Sequence, residues 1–94
     1  MRRVLMLHER WRLSATVALR PEPFGALAYD FTTRRLSFLK TPQFVSVVRA
    51  LDASADVQAA LESAAVPREQ WDLYLTALRR LAGSGMLTSQ GAAV

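Results

Sequence analysis

The sequence predicts an α+β fold, in which a three-stranded antiparallel sheet is followed by three helices. Large apolar residues alternate with other residues in short segments between residues 16 and 40, which is typical of strands. From Thr41 onward, apolar residues recur every three or four positions, which is typical of amphipathic helices. A chain of 94 residues can bury one core but not two, so both halves belong to one small domain.

Three strands are expected in succession. Val17 and Leu19 alternate within Thr16–Arg20, and the stiff Pro21-Glu22-Pro23 connection follows. In the next strand, which begins near Gly25, the large side chains recur every second residue and therefore share one face: Leu27, Tyr29 and Phe31. A polar reversal at residues 32–35 leads to a third strand, Arg35–Lys40. A simple meander in the order 1-2-3 leaves this third strand at the edge of the sheet.

Three helices follow. Thr41-Pro42 is typical of an N-cap with proline in the first turn, and the apolar positions of the first helix have helical spacing: Phe44, Val47, Val48 and Leu51. Ser54 is a candidate N-cap of a second, short helix. Pro67 lies near the start of the third helix, and Gly83-Ser84-Gly85 ends it.

The third helix is apolar over an unusually wide arc. Trp71, Leu75, Leu78 and Ala82 form a stripe that one core face would bury. Apolar residues continue around one flank until Arg80, and they are Leu73, Tyr74, Ala77 and Leu81. The arc covers about 200°, twice the roughly 100° that a single core face needs. The helix must therefore be buried from two sides or leave a groove for a ligand.

The charge distribution favours an acidic partner. The net charge is +4, with +6 in residues 1–50 and −2 in residues 51–94. The excess positive charge therefore lies in the strand half, where it suits nucleic acid, a membrane surface or an acidic polypeptide. There is no cysteine, and no apolar run is long enough to cross a bilayer. The absence of cysteine says little about compartment, so a cytoplasmic location is the default expectation. Of the three acidic partners, we expect the polypeptide and no membrane.

Catalysis is not supported by the residues. His8 is the single histidine, and no Ser/His/Asp set, paired carboxylates, glycine-rich phosphate loop or metal-ligand spacing is present. We therefore expect no enzyme, no cofactor and no metal site.

The charged ends of the third strand have two interpretations. The charges at the ends of the third strand, Arg34, Arg35 and Lys40, could simply protect an edge from unwanted pairing. Alternatively, they flank an edge on which an extended acidic peptide adds as a fourth strand, with Ser37 and Leu39 supplying part of the side-chain selection. An open edge would also allow a homodimer.

Strands followed by three helices with tight links also outline a winged helix-turn-helix-like domain. A DNA-binding protein of this kind would place Arg34, Arg35, Arg79 and Arg80 on phosphates. The flank of the third helix, however, offers Leu73, Tyr74 and Ala77 where DNA readout requires polar side chains. Nucleic acid is therefore the weaker alternative.

Long strings of this sequence resemble the mycofactocin biosynthesis chaperone (MftB) family. The likeness is strongest in RPEPFGALAY and TRRLSFLK, within Leu19–Lys40, and continues more loosely to Leu87. The resemblance implies a non-catalytic peptide-recognition domain, similar to the pyrroloquinoline-quinone chaperone, at residues 11–87. From the residues themselves we expect residues 1–10 to be a mobile, non-core N-terminal extension and residues 88–94 a flexible tail.

The same resemblance implies the partners and the site. The partners would be the acidic leader of the mycofactocin precursor peptide and the radical S-adenosylmethionine (SAM) maturase to which the leader is presented. The leader would pair with the third strand and lie against the third helix. The expected peptide-binding residues are Arg34, Arg35, Leu36, Ser37, Phe38, Leu39, Lys40, Leu73, Tyr74, Ala77, Arg80 and Leu81.

Overall fold

The computed structural model describes the backbone of residues 6–92 and the side chains as far as residue 89. Two small sheets and three helices make up this part of the chain. The strands are β1 (Glu9–Leu13), β2 (Val17–Glu22), β3 (Gly25–Asp30), β4 (Arg35–Leu39) and β5 (Leu87–Ala92). The helices are α1 (Pro42–Leu51), α2 (Val57–Ser63) and α3 (Trp71–Gly83), and a 3-10 turn at Arg68–Gln70 leads into α3. The predicted α+β fold is confirmed.

The three-stranded sheet has the predicted meander order. Strands β2, β3 and β4 are antiparallel neighbours in that order, so β4 lies at one edge. The inner face of β3 carries the small residues Ala26 and Ala28, both buried in the core. Because successive side chains point to opposite faces, Leu27 and Tyr29 lie together on the outer face, and the exposed Phe31 follows directly after β3 in the turn. The large residues of β3 therefore face away from the helices.

The helices begin and end for reasons that are visible in the sequence. The Thr41 side chain accepts a hydrogen bond from the Phe44 amide at 3.1 Å, and Pro42 occupies the first turn of α1. The cap of α2 differs from expectation: Asp56 accepts from the Ala59 amide at 2.9 Å, whereas Ser54 donates to the Ala50 carbonyl. Trp71 anchors α3 in the core, and its indole N–H donates to the Val66 carbonyl at 3.0 Å.

A second, two-stranded sheet corrects the expectation for both ends of the chain. Strand β1 pairs antiparallel with β5, so that Leu13 lies opposite Leu87 and Trp11 opposite Ser89. The Ser14 side chain adds a hydrogen bond to the Gly85 carbonyl at 2.6 Å. Residues 88–92, expected to form a flexible tail, therefore continue a paired strand, while residues 93–94 lie outside the described residues.

The N-terminal segment also contributes to the core, contrary to expectation. Met6 is only 3% exposed and belongs to the core cluster, and Leu7 packs against that cluster. Residues 9 and 10 already form part of β1. The expectation of a non-core extension at residues 1–10 is therefore wrong from residue 6 onward, and residues 1–5 lie outside the described residues.

Candidate functional site

A groove of about 600 Å³ lies between the edge strand β4 and helix α3. One wall comes from β4 and the two residues that follow it, and the other from the apolar flank of α3. The lining residues are Leu36, Ser37, Phe38, Lys40, Thr41, Phe44, Leu73, Tyr74, Ala77, Arg80 and Leu81. An edge strand has backbone N–H and C=O groups without a partner strand. The groove thus combines free backbone groups on one side with an apolar helix surface on the other.

The wide apolar arc of α3 explains why a groove exists here. Tyr74 and Leu81, next to the main stripe, are buried in the core at 8% and 4% exposure. Leu73 and Ala77 lie farther around, and Leu73 is 70% exposed. The helix is therefore buried over only part of its arc, because β4 does not cover the rest.

Tyr74 forms a fixed part of the groove floor. Its hydroxyl donates a hydrogen bond to Gln43 Oε1 at 3.1 Å. Gln43 Nε2 in turn donates to the Ala64 and Ala65 carbonyls, each at 3.2 Å. The Tyr74 ring also packs edge-on against Phe44, with ring centroids 5.9 Å apart. The groove floor is held in place by three elements at once.

The charged side chains of the groove are both cationic. Lys40 lies at the end of β4 and Arg80 on α3, and both are exposed. Among the described residues that line the groove there is no carboxylate. An extended chain with apolar and acidic side chains would match this surface in polarity and charge.

All but three of the predicted site residues line the groove. Arg34 and Arg35 lie outside it, in the turn before β4 and at the first residue of β4, where they are exposed. The third exception is a correction: Leu39 is fully buried at 0% exposure, because its side chain points into the core. Leu39 therefore cannot supply side-chain selection, and only its backbone can take part in strand addition.

Two lining residues, Thr41 and Phe44, were not expected at the site from the sequence. Thr41 caps α1 and Phe44 lies in its first turn, and both reach the groove because α1 follows β4 after only two residues. Both were assigned structural roles as cap and core residue, and the structure retains those roles. The tight link between β4 and α1 was the available signal for their second role.

Other kinds of site find little support in residues 6–92. No group of three or more His, Asp or Glu side chains is placed there to hold a metal ion. His8 is exposed. No helix in this part of the chain is long and apolar enough to span a membrane. Arg79 is half-buried and does not line the groove, so Arg79 and Arg80 do not form a joint exposed cationic surface of the kind that the DNA alternative needs.

Comparisons with known proteins identify the family of the chain. The model of the peptide chaperone MftB family matches residues 10–88. The peptide chaperone MftB of Mycobacterium ulcerans (strain Agy99) is 54% identical over 82 residues, which cover 87% of this chain and 75% of that protein. The peptide chaperone MftB of Mycobacterium tuberculosis (strain ATCC 25618 / H37Rv) is 52% identical over 77 residues, covering 82% of this chain and 71% of its own.

A third relative, the peptide chaperone MftB of Mycolicibacterium smegmatis (strain ATCC 700084 / mc(2)155), is 52% identical over 77 residues, or 82% of this chain and 76% of its own. No solved structure matches the chain. All three relatives carry the name of a peptide chaperone, which is a non-catalytic role. The family match and the identity over most of each chain lead to one conclusion: this chain belongs to the peptide chaperone MftB family.

Proposed function

We propose that this chain binds the acidic leader of the mycofactocin precursor peptide by strand addition and presents it to a radical SAM maturase. The observation that carries the proposal is the groove itself, in which an open edge strand faces an apolar helix flank. The leader adds to β4 as a fourth strand, through backbone hydrogen bonds that each contribute about 1 kcal/mol.

The two faces of the added strand meet different surroundings. Side chains of the leader that point inward lie against Leu73, Tyr74 and Ala77, which select apolar residues. Acidic side chains of the leader lie near Lys40 and Arg80 at the groove, and near Arg34 and Arg35 at the far end of β4. Backbone pairing thus supplies affinity, and the α3 flank supplies selection.

The test is an amide-shift titration of labelled protein with a synthetic acidic leader peptide, repeated with duplex DNA of arbitrary sequence. Shifts concentrated at residues 35–41 and 73–81 with the peptide alone are expected. Peptide affinity should change little with salt, because most of it comes from backbone pairing and apolar contact, whereas DNA binding falls steeply as salt increases. Shifts with DNA alone, centred on Arg79 and Arg80, would overturn the proposal in favour of DNA binding.

A further inference from the structure

The outer face of the three-stranded sheet is apolar and open to solvent. The side of the sheet that faces the core is made of small or aliphatic residues such as Ala26, Ala28 and Leu39, all buried. The opposite side carries large side chains, of which Leu36 and Phe38 are 58% and 59% exposed, and Phe31, in the turn directly after β3, is 58% exposed. We call this surface the outer patch, and it consists of Phe24, Leu27, Tyr29, Phe31, Leu36 and Phe38.

The outer patch is a continuous surface. Leu27 lies opposite Phe38 and Tyr29 opposite Leu36 in the β3–β4 register, so their side chains are cross-strand neighbours. Phe24 extends the row, because its ring packs edge-on against Phe38 with centroids 5.8 Å apart. An antiparallel sheet with one solvated face ordinarily carries polar residues there. These rings fill no core, so folding alone does not explain them, and exposed apolar patches of this kind mark interaction surfaces.

Positive charges border the outer patch. Arg20 lies opposite Leu27 on β2, and its side chain is 77% exposed. Lys40 ends the β4 side of the patch, and Arg34 lies in the turn beyond Phe31. The acidic group on this side is Glu22, which is 3.4 Å from Arg20 and is already paired with it. Two copies packed face to face would bring these cations together, so charge favours a partner with carboxylates around an apolar centre.

The width of the patch favours a folded partner. Neighbouring strands lie about 4.8 Å apart, so three strands present a face about 10 Å wide, which one extended peptide does not cover. The patch is also continuous with the groove, because Leu36 and Phe38 belong to both. A peptide strand added along β4 would place every second side chain beside Leu36 and Phe38, and so would enlarge the outer face.

We propose that the outer patch is a second docking surface, on which a folded protein with an apolar, carboxylate-bordered surface binds the chaperone and its added peptide together. This inference rests on the proposed function, because the peptide-modifying enzyme is the protein that must meet the loaded chaperone. The groove holds the peptide against β4 and α3, and the partner binds the outer face of the sheet, which the added peptide strand has widened.

The test uses a double variant, Tyr29→Ser with Phe31→Ser, because both side chains are exposed and neither lines the groove. Titration calorimetry measures the affinity of each chaperone for the leader peptide, and then the affinity of each peptide-loaded chaperone for the radical SAM maturase. We expect leader affinity within about twofold of wild type and maturase affinity at least about tenfold weaker. Unchanged maturase affinity in the correctly folded variant would overturn the inference.

A charge variant gives a second, independent measurement. Arg20→Glu should weaken maturase binding and leave leader binding unchanged, because Arg20 borders the patch and is remote from the groove lining.

The proposed function and the outer patch can fail separately. A wild-type chain that binds the maturase but not the leader would refute the proposed function. Loss of that maturase binding in the double variant would still support the outer patch. A stable wild-type dimer that the double variant dissociates would show that a second copy covers the patch, and would overturn the inference.

Discussion

Asp30 stabilises the turn between β3 and β4 in a way that depends on its charge. It is only 3% exposed, and its Oδ1 accepts hydrogen bonds from the Thr32 and Thr33 amides at 2.9 and 3.3 Å. Burial disfavours the charged form, but hydrogen bonds from Thr32, Thr16 and Thr33 outweigh it and hold the pKa of Asp30 below its ordinary value. The turn that leads into the edge strand therefore favours the ionised carboxylate.

The sign of the pH dependence follows from this lowered pKa. A carboxyl whose pKa is lower in the folded state contributes stability above its unfolded pKa of about 3.9, and loses it as the pH falls through the folded pKa. We expect the free energy of unfolding of wild type to decrease between pH 5 and pH 2 more than that of Asp30→Asn. Urea titrations at several pH values measure both, and equal pH slopes would contradict the assignment.

Gly25 shows a different constraint at the level of one residue. A Cβ at this position would collide with the Leu39 carbonyl oxygen of the neighbouring strand. We therefore expect Gly25→Ala to lower the free energy of unfolding by about 1–3 kcal/mol. Gly83→Ala is the matched control, because a Cβ there meets nothing within 4 Å, and it should change stability by less than about 1 kcal/mol. Denaturant unfolding of the two variants compares them, and equal losses would contradict a steric role for Gly25.

Alternating patterns in the sequence predict which residues share a face of a strand, but not which face packs against the core. Alternation correctly places Leu27 and Tyr29 on one face of β3, whereas Phe31 lies in the turn just after the strand. The structure buries the opposite face, which carries Ala26 and Ala28. The helices pack on the side with small residues, and size alone does not reveal that choice. The expectation for Leu39 is wrong for the same reason: on β4 it points inward and is buried, whereas Leu36 and Phe38 point outward and are exposed.

Among the elements, α3 has the strongest predicted link to binding. Leu73 is 70% exposed in the groove, so Leu73→Asp should leave the fold intact. The new carboxylate removes an apolar contact and repels an acidic leader, and we expect at least tenfold weaker peptide binding, equivalent to about 1.4 kcal/mol. Thr76→Asp adds the same charge to an exposed position of α3 outside the groove and is the matched control. Fluorescence anisotropy with labelled leader measures both, and equal affinities would remove α3 from the site.

The elements differ in how far the sequence predicts them. Strands β2 to β4 and the three helices could be predicted because each has its own local pattern and its neighbours follow directly along the chain. The β1–β5 pair could not be predicted, because its paired residues, such as Arg12 and Thr88, come from opposite ends of the sequence. No local pattern identifies so distant a partner. The groove could be predicted because its two walls, β4 and the flank of α3, each carry an excess apolar surface.

At the scale of the whole molecule, the open edge of β4 raises the question of self-association. Two copies could pair their β4 strands antiparallel about a twofold axis, which would form one continuous sheet. If Ser37 lies on the axis, Arg34 of one copy lies beside Lys40 of the other. These like charges oppose dimerisation, and salt screens them, since the Debye length is about 10 Å at 0.1 M. An acidic leader on the same edge is instead attracted, because its carboxylates neutralise the same cations.

We therefore expect the chain without peptide to form a weak edge dimer that strengthens with salt and that the leader peptide dissociates. Sedimentation equilibrium at about 0.05 M and 0.5 M salt, with and without leader, measures the association constant in each state. The leader should convert dimers to one-to-one complexes, because a peptide strand and a second β4 compete for the same backbone groups. A dimer that weakens with salt, or that persists with saturating leader, would place the contact between copies away from β4. The edge strand would then serve the peptide alone.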